Sequence, residues 1–234
     1  LLAITLFIAA INLIPSVALY LQYSWPILGL GGAIFIGLML FNHQSADTHE
    51  RLSRYHWILL LIYLLHQFEE HGVDLYGRIY YFHTFSHVML EGRGLELTPD
   101  AILRINTIVV WFAFLLAIWG GRQLIWPGLV AAGLVLCNGL FHIAGGIGFG
   151  VYNPGLASAI VLFLPIAFLY FRFVNRQLDV SGRAIVGGIA FGVLGHAMLP
   201  VVIGLNAPMG LLILLAMLPL VANLVAERWH KKAE

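Results

Sequence analysis

Eight apolar runs of 17 to 24 residues follow one another along the 234-residue chain, separated by short polar stretches. A bilayer core about 30 Å thick is crossed by roughly 20 residues of helix, and a backbone away from water must satisfy its own hydrogen bonds. Runs of this length therefore read as membrane helices. They are Leu1 to Leu21, Trp25 to Phe41, Tyr55 to Gly77, Pro99 to Trp119, Leu124 to Ile147, Leu156 to Val174, Ala184 to Gly204 and Pro208 to Ala226. The expected fold is all-α: a polytopic integral membrane helical bundle of about eight transmembrane helices. Only 10% of the residues are charged, against about a quarter in soluble domains, which excludes a soluble globular enzyme. The first span has neither Met nor a basic stretch before it, so it reads as a membrane helix from a trimmed start rather than a signal peptide.

The 12 basic residues are distributed unevenly. On the side of the two termini lie nine: Arg51, Arg54, Arg122, Arg172, Arg176, Arg183, Arg228, Lys231 and Lys232. Arg78, Arg93 and Arg104 lie opposite. Cytoplasmic loops are the basic ones, so both termini are expected in the cytoplasm. The net charge of +1 offers no basic face for nucleic acid. No loop is long enough for a second domain, so residues 1–234 form one transmembrane domain. Within it, residues 78–98 are too apolar for a free loop and read as an amphipathic segment on the outer surface. Gly188 and Gly192 form a small-xxx-small pair suited to close helix packing.

The third span carries His66-Gln67-Phe68-Glu69-Glu70-His71, with Asp74 beyond. Steps of three and four place His66, Glu69, Glu70 and Asp74 on one helix face. An ionised carboxylate near the middle of a membrane helix costs about 2.5 to 3.5 kcal/mol, and adjacent ones repel. A cation or shared protons must compensate. Cys137 is the single cysteine, which excludes disulfide frameworks and Cys-based metal sites, so any metal must be held by His and carboxylate, as Zn or Fe can be. The bland alternative is that Arg78 or Arg104 neutralises the pair.

Other segments offer partners for the carboxylates. Asn138 and His142 stand four apart in the fifth span, where an Asn can orient a substrate or a ligand. His83 and His87, at i and i+4 in the outer segment, could fold over the carboxylates as a lid carrying ligands, and His196 in the seventh span is a further ligand or a packing residue. His43, His49 and His56, and His230 in the basic tail, read as ordinary interface residues.

Three motifs in this order, His66-x-x-Glu69-Glu70, Asn138-x-x-x-His142 and Tyr152-x-Pro154-Gly155, resemble the HXXEE-domain family of bacterial membrane proteins. The resemblance implies a bacterial membrane protein and groups these residues in one constellation; with the topology above, which reads as a multi-pass protein of the inner membrane, the Pro154-Gly155 turn would place the Tyr152 phenol at the outer mouth. It names no reaction, because that family's function is uncharacterised.

Three functions fit. The first is a metal-dependent hydrolase acting on a lipid or other membrane-dissolved substrate, with His66, Glu70, His83, His87, His142 and His196 as candidate ligands. Here Glu69 would be the base, with Tyr152 and Asp74 as substitutes for it. The second is a di-iron oxidoreductase of desaturase or hydroxylase type. The third is a non-enzymatic accessory subunit or ion or proton pathway. The sequence leaves oligomeric state open.

Overall fold

The computed structural model describes residues 2–42, 46–92, 94–121 and 123–233, without the side chains of 2–5, 15, 222 and 225–233. Arg93 and Arg122, and the side chains of Arg228, Lys231 and Lys232, all counted in the basic asymmetry, lie outside the described residues, as do His43 and the side chain of His230. Among those described, regular structure is helical apart from one antiparallel bridge, Val73 to Ile79.

The helices are α1 (Leu2–Leu13), α2 (Pro15–Leu21), α3 (Trp25–Asn42), α4 (Thr48–His71), α5 (Tyr81–Leu90), α6 (Pro99–Gly120), α7 (Ile125–Phe149), α8 (Leu156–Gln177), α9 (Gly182–Gly204) and α10 (Met209–Ala233). Five of them, α3 and α6 to α9, are long and apolar enough to cross a bilayer, which marks a membrane protein. The first apolar run is two helices, because Ile14 precedes a proline and is held extended (φ −107°, ψ 104°).

The largest departure from expectation is in α4, which starts seven residues earlier than the apolar run and ends six residues earlier. Asp47 caps its start by accepting from the backbone N–H groups of His49 and Glu50. This early start corrects the reading of His56. It sits two turns inside the helix, fully buried, with Nε2 3.2 Å from the Tyr170 hydroxyl. The early end corrects Asp74, which lies in a turn rather than on the helix face. Its Oδ1 accepts from the backbone of Tyr76 and Arg78, and its Oδ2 is 2.6 Å from Arg78 Nε. These bonds, with the Val73 to Ile79 bridge, reverse the chain into α5.

Glycines set the pairing of α7 with α9. A β-carbon at Gly188 would come 2.7 Å from the Leu129 carbonyl oxygen, and one at Gly192 would collide with the Gly133 carbonyl. Such approach is available only without side chains, so this is the packing expected of Gly188 and Gly192. Two helices contain a widened π turn: Ile105–Trp111 in α6 and Ala159–Phe163 in α8. Side-chain bonds draw the C-terminal turns of α4 to the N-terminal turns of α6 and α8, and His142 of α7 faces Glu70 of α4, so the polar residues of four helices meet at one end of the bundle.

Candidate metal centre

Glu70 is the hub of that meeting. Its Oε2 lies 3.4 Å from His66 Nε2 and 3.1 Å from His71 Nε2, and its Oε1 lies 3.5 Å from His142 Nε2. His66 is fully buried and Glu70 is 9% exposed. Arg78 is paired with Asp74 and Arg104 with Asp100, so the arginine reading does not describe these carboxylates.

The hydrogen bonds fix which imidazole nitrogens are free. The Ser158 hydroxyl has one hydrogen and donates it to the Gly155 carbonyl (3.1 Å), so at 2.9 Å it accepts from His66 Nδ1–H. The Asn153 amide donates to the His142 carbonyl (2.8 Å), which leaves its Oδ1, at 2.6 Å, to accept from His142 Nδ1–H. With Nδ1 protonated, each ring in its neutral form turns an Nε2 lone pair towards the Glu70 carboxylate. Lone pair facing carboxylate is repulsive unless a proton or a metal ion lies between them, and His66 Nε2 is buried with no hydrogen-bond partner.

A metal ion fits that arrangement. One donor atom each from His66, Glu70 and His142 lies within 4.8 Å of the others, a unique such trio among the described residues. Tetrahedral ligands bound at about 2.1 Å stand about 3.4 Å apart, close to the 3.4 Å of His66 Nε2 from Glu70 Oε2 and the 3.5 Å of His142 Nε2 from Oε1, so the two imidazoles each face their own carboxylate oxygen. The Nδ1 partners, Ser158 and Asn153, are the outer supports that metal-binding histidines require.

Gly155 completes the cradle. A β-carbon there would lie 2.7 Å from His66 Cε1 and 2.8 Å from His142 Cε1, and its φ of +92° also favours glycine. Behind Glu70, Trp111 Nε1, which can only donate, binds Gln67 Oε1 at 2.6 Å. Gln67 Nε2 must then donate to Asn106 Oδ1 at 2.7 Å, which points Asn106 Nδ2 at the Ile102 carbonyl and His71 Nε2. A single indole N–H thus orients a chain of groups ending beside Glu70.

Glu69 points elsewhere. Its Oε1 accepts from the Tyr152 hydroxyl (2.7 Å) and Ala157 N–H (3.0 Å), and its Oε2 from Ser158 N–H (2.7 Å). A carboxylate on the first amides of α8 satisfies groups that the helix leaves unpaired and complements its dipole. Tyr152 also accepts from Leu75 N–H at 3.1 Å, tying the turn after α4 to the start of α8. Burial, with the Glu69 carboxylate beside it, pushes the Tyr152 phenol above its ordinary range, so it remains a donor.

The remaining sequence candidates stand outside the trio. Asn138 donates to the Tyr63 hydroxyl (3.2 Å), while Asn153 rather than Asn138 orients His142. His196 binds the Gly192 carbonyl through Nδ1 (2.8 Å) and stacks on Phe141. His87 is exposed on α5, and His83 lines a small cavity with His71, Tyr80 and Phe82. Sequence reasoning missed His71, Gln67, Asn106, Asn153 and Ser158. Gln67 and His71 lay inside the quoted motif, but no spacing links any of the five to its partner.

A family described as a protein of unknown function with HXXEE motif matches residues 57–170. That stretch contains the whole cradle from His66 to Ser158 and is an HXXEE-motif domain. No curated protein and no solved structure matches the chain.

Proposed function

We propose that this chain is a metal-dependent membrane enzyme, a hydrolase acting on a lipid or other membrane-dissolved substrate, with the metal held by His66, Glu70 and His142. We also read the site as facing away from the cytoplasm in a bacterial inner membrane, as the basic asymmetry suggests. The observation that carries the proposal is the convergence of two Nε2 atoms, each with its Nδ1 held by a hydrogen bond, on the Glu70 carboxylate. Three protein ligands of the His2Glu type leave a fourth position open, the layout of catalytic rather than structural zinc. A bound divalent ion would polarise the scissile group and make water more acidic.

The chain's own groups divide the remaining work. Glu70 supplies the negative charge, while Ser158 and Asn153 hold the rings. Glu69, saturated by three donors, anchors α8 instead of accepting a proton, with Tyr152 as its clamp. His71 takes the proton in their stead, its Nε2, 3.1 Å from Glu70 Oε2, releasing the longer 3.4 Å contact with Asn106 Nδ2 to accept it. Elemental analysis of purified protein tests the reading, with about one equivalent of zinc expected in wild type and little in Glu70→Gln or His142→Ala. Iron in place of zinc would favour the oxidoreductase alternative, and full metal content in both variants would overturn the site.

A further inference from the structure

Resting on the metal-enzyme reading, we propose that the substrate is a single-chain lipid with a hydroxyl at the junction of head and chain, its chain threaded through the bundle interior. Glu70, His71, Asn106, Asn138 and His196 are among the residues lining a cavity of about 140 Å³. Ile105, Val109, Leu134, Gly195 and Leu199 line it too, and the same five line an adjoining cavity of about 250 Å³. The side chains lining that second cavity are all apolar, Leu215, Leu218 and Pro219 among them. The two form one path, polar beside Glu70 and hydrocarbon beyond.

The path selects its occupant by size and by polarity. Pockets for drug-sized ligands run to about 300–1,000 Å³, and this pair lies near the lower end, room for one aliphatic chain rather than two. Water gains little in the apolar part, whereas a chain there loses its contact with water at the head-group level. At the polar end, Asn138 Oδ1 is buried without a hydrogen-bond partner while Nδ2 is used by Tyr63. A buried acceptor left unmade costs about 1 to 3 kcal/mol, and a hydroxyl on the ligand would satisfy it. Gly195 forms part of the neck, where a β-carbon would already reach Leu134 at 3.3 Å.

The test is photolabelling of the full chain, purified with its metal into nanodiscs. Three probes carry a mid-chain diazirine: a 16-carbon alcohol, the matching alkane and a diacyl phosphatidylcholine. The alcohol is expected to label peptides covering 105–113, 191–199 and 212–219, in competition with unlabelled alcohol. Asn138→Leu should weaken that labelling roughly tenfold, the effect of a buried hydrogen bond left unmade, and Gly195→Leu should block it with metal content unchanged. Leu134→Trp replaces the second variant if it does not fold. Labelling confined to the outer faces of the helices, equal labelling by alkane and alcohol, or preferential interior labelling by the two-chain lipid would each overturn the proposal. Interior labelling in wild-type protein that holds no metal would support the path and overturn the metal reading instead.

Discussion

Gly155 packs against His66 so closely that a β-carbon would stand 2.7 Å from the imidazole Cε1. The turn before α8 therefore acts as the floor of the histidine pair, and its φ of +92° is one that side chains resist. Gly155→Ala should displace both rings and cost about 1 to 3 kcal/mol in strain. Metal affinity is expected to fall by about 10- to 100-fold, as when outer supports of metal ligands are lost. Zinc titration beside a thermal melt checks it; unchanged affinity would remove Gly155 from the cradle.

Glu69 and Glu70 should separate cleanly. Glu69→Gln is expected to retain metal and to lower thermal stability, by about 1 kcal/mol for each charge-assisted bond that becomes a neutral one. Glu70→Gln should lose metal. Comparing metal content with melting temperature in the two variants decides between an anchor and a proton carrier. A Glu69→Gln protein of wild-type stability that has lost only turnover would restore the carrier role.

Tyr152→Phe removes one donor to Glu69 and one acceptor from Leu75, a loss of roughly 1 to 2 kcal/mol. The phenol's range is raised in the folded protein, so it holds its proton there more firmly than in the unfolded chain. Its contribution is complete below the ordinary tyrosine value of about 10 and is lost as pH rises beyond it. Stability attributable to Tyr152 should thus be flat from about pH 6 to 9 and decline above 10. Melting both proteins across that range measures it, and a difference that changes between pH 6 and 9 would contradict the clamp.

The orientation has its own check. Val151 is exposed beside the cradle, so Val151→Cys in a Cys137→Ala background should react with a membrane-impermeant thiol reagent on intact cells. Labelling only after lysis would invert the bundle.

What the sequence determined alone was whatever depends on spacing within a helix or on the cost of leaving water. Apolar length predicted the helical rods, four-residue spacing placed His66 with Glu70 on one face, and the expense of buried carboxylates demanded a compensating group. Gly188 and Gly192 were legible for the same reason, since small residues one turn apart serve packing in any bundle. Tertiary structure decided everything that needed two segments at once. Glu69 and Glu70 are equivalent in sequence, yet the amides at the start of α8 claim one and the imidazoles of α4 and α7 claim the other. Asp74 left the helix face because its carboxylate holds the turn at Arg78. His71 joined the site because α4 ends on it and Trp111, through Gln67 and Asn106, brings a donor to its ring. Contacts such as His66 with Ser158, 92 positions apart, leave no period in the chain, because their partners are set by which helices pack side by side.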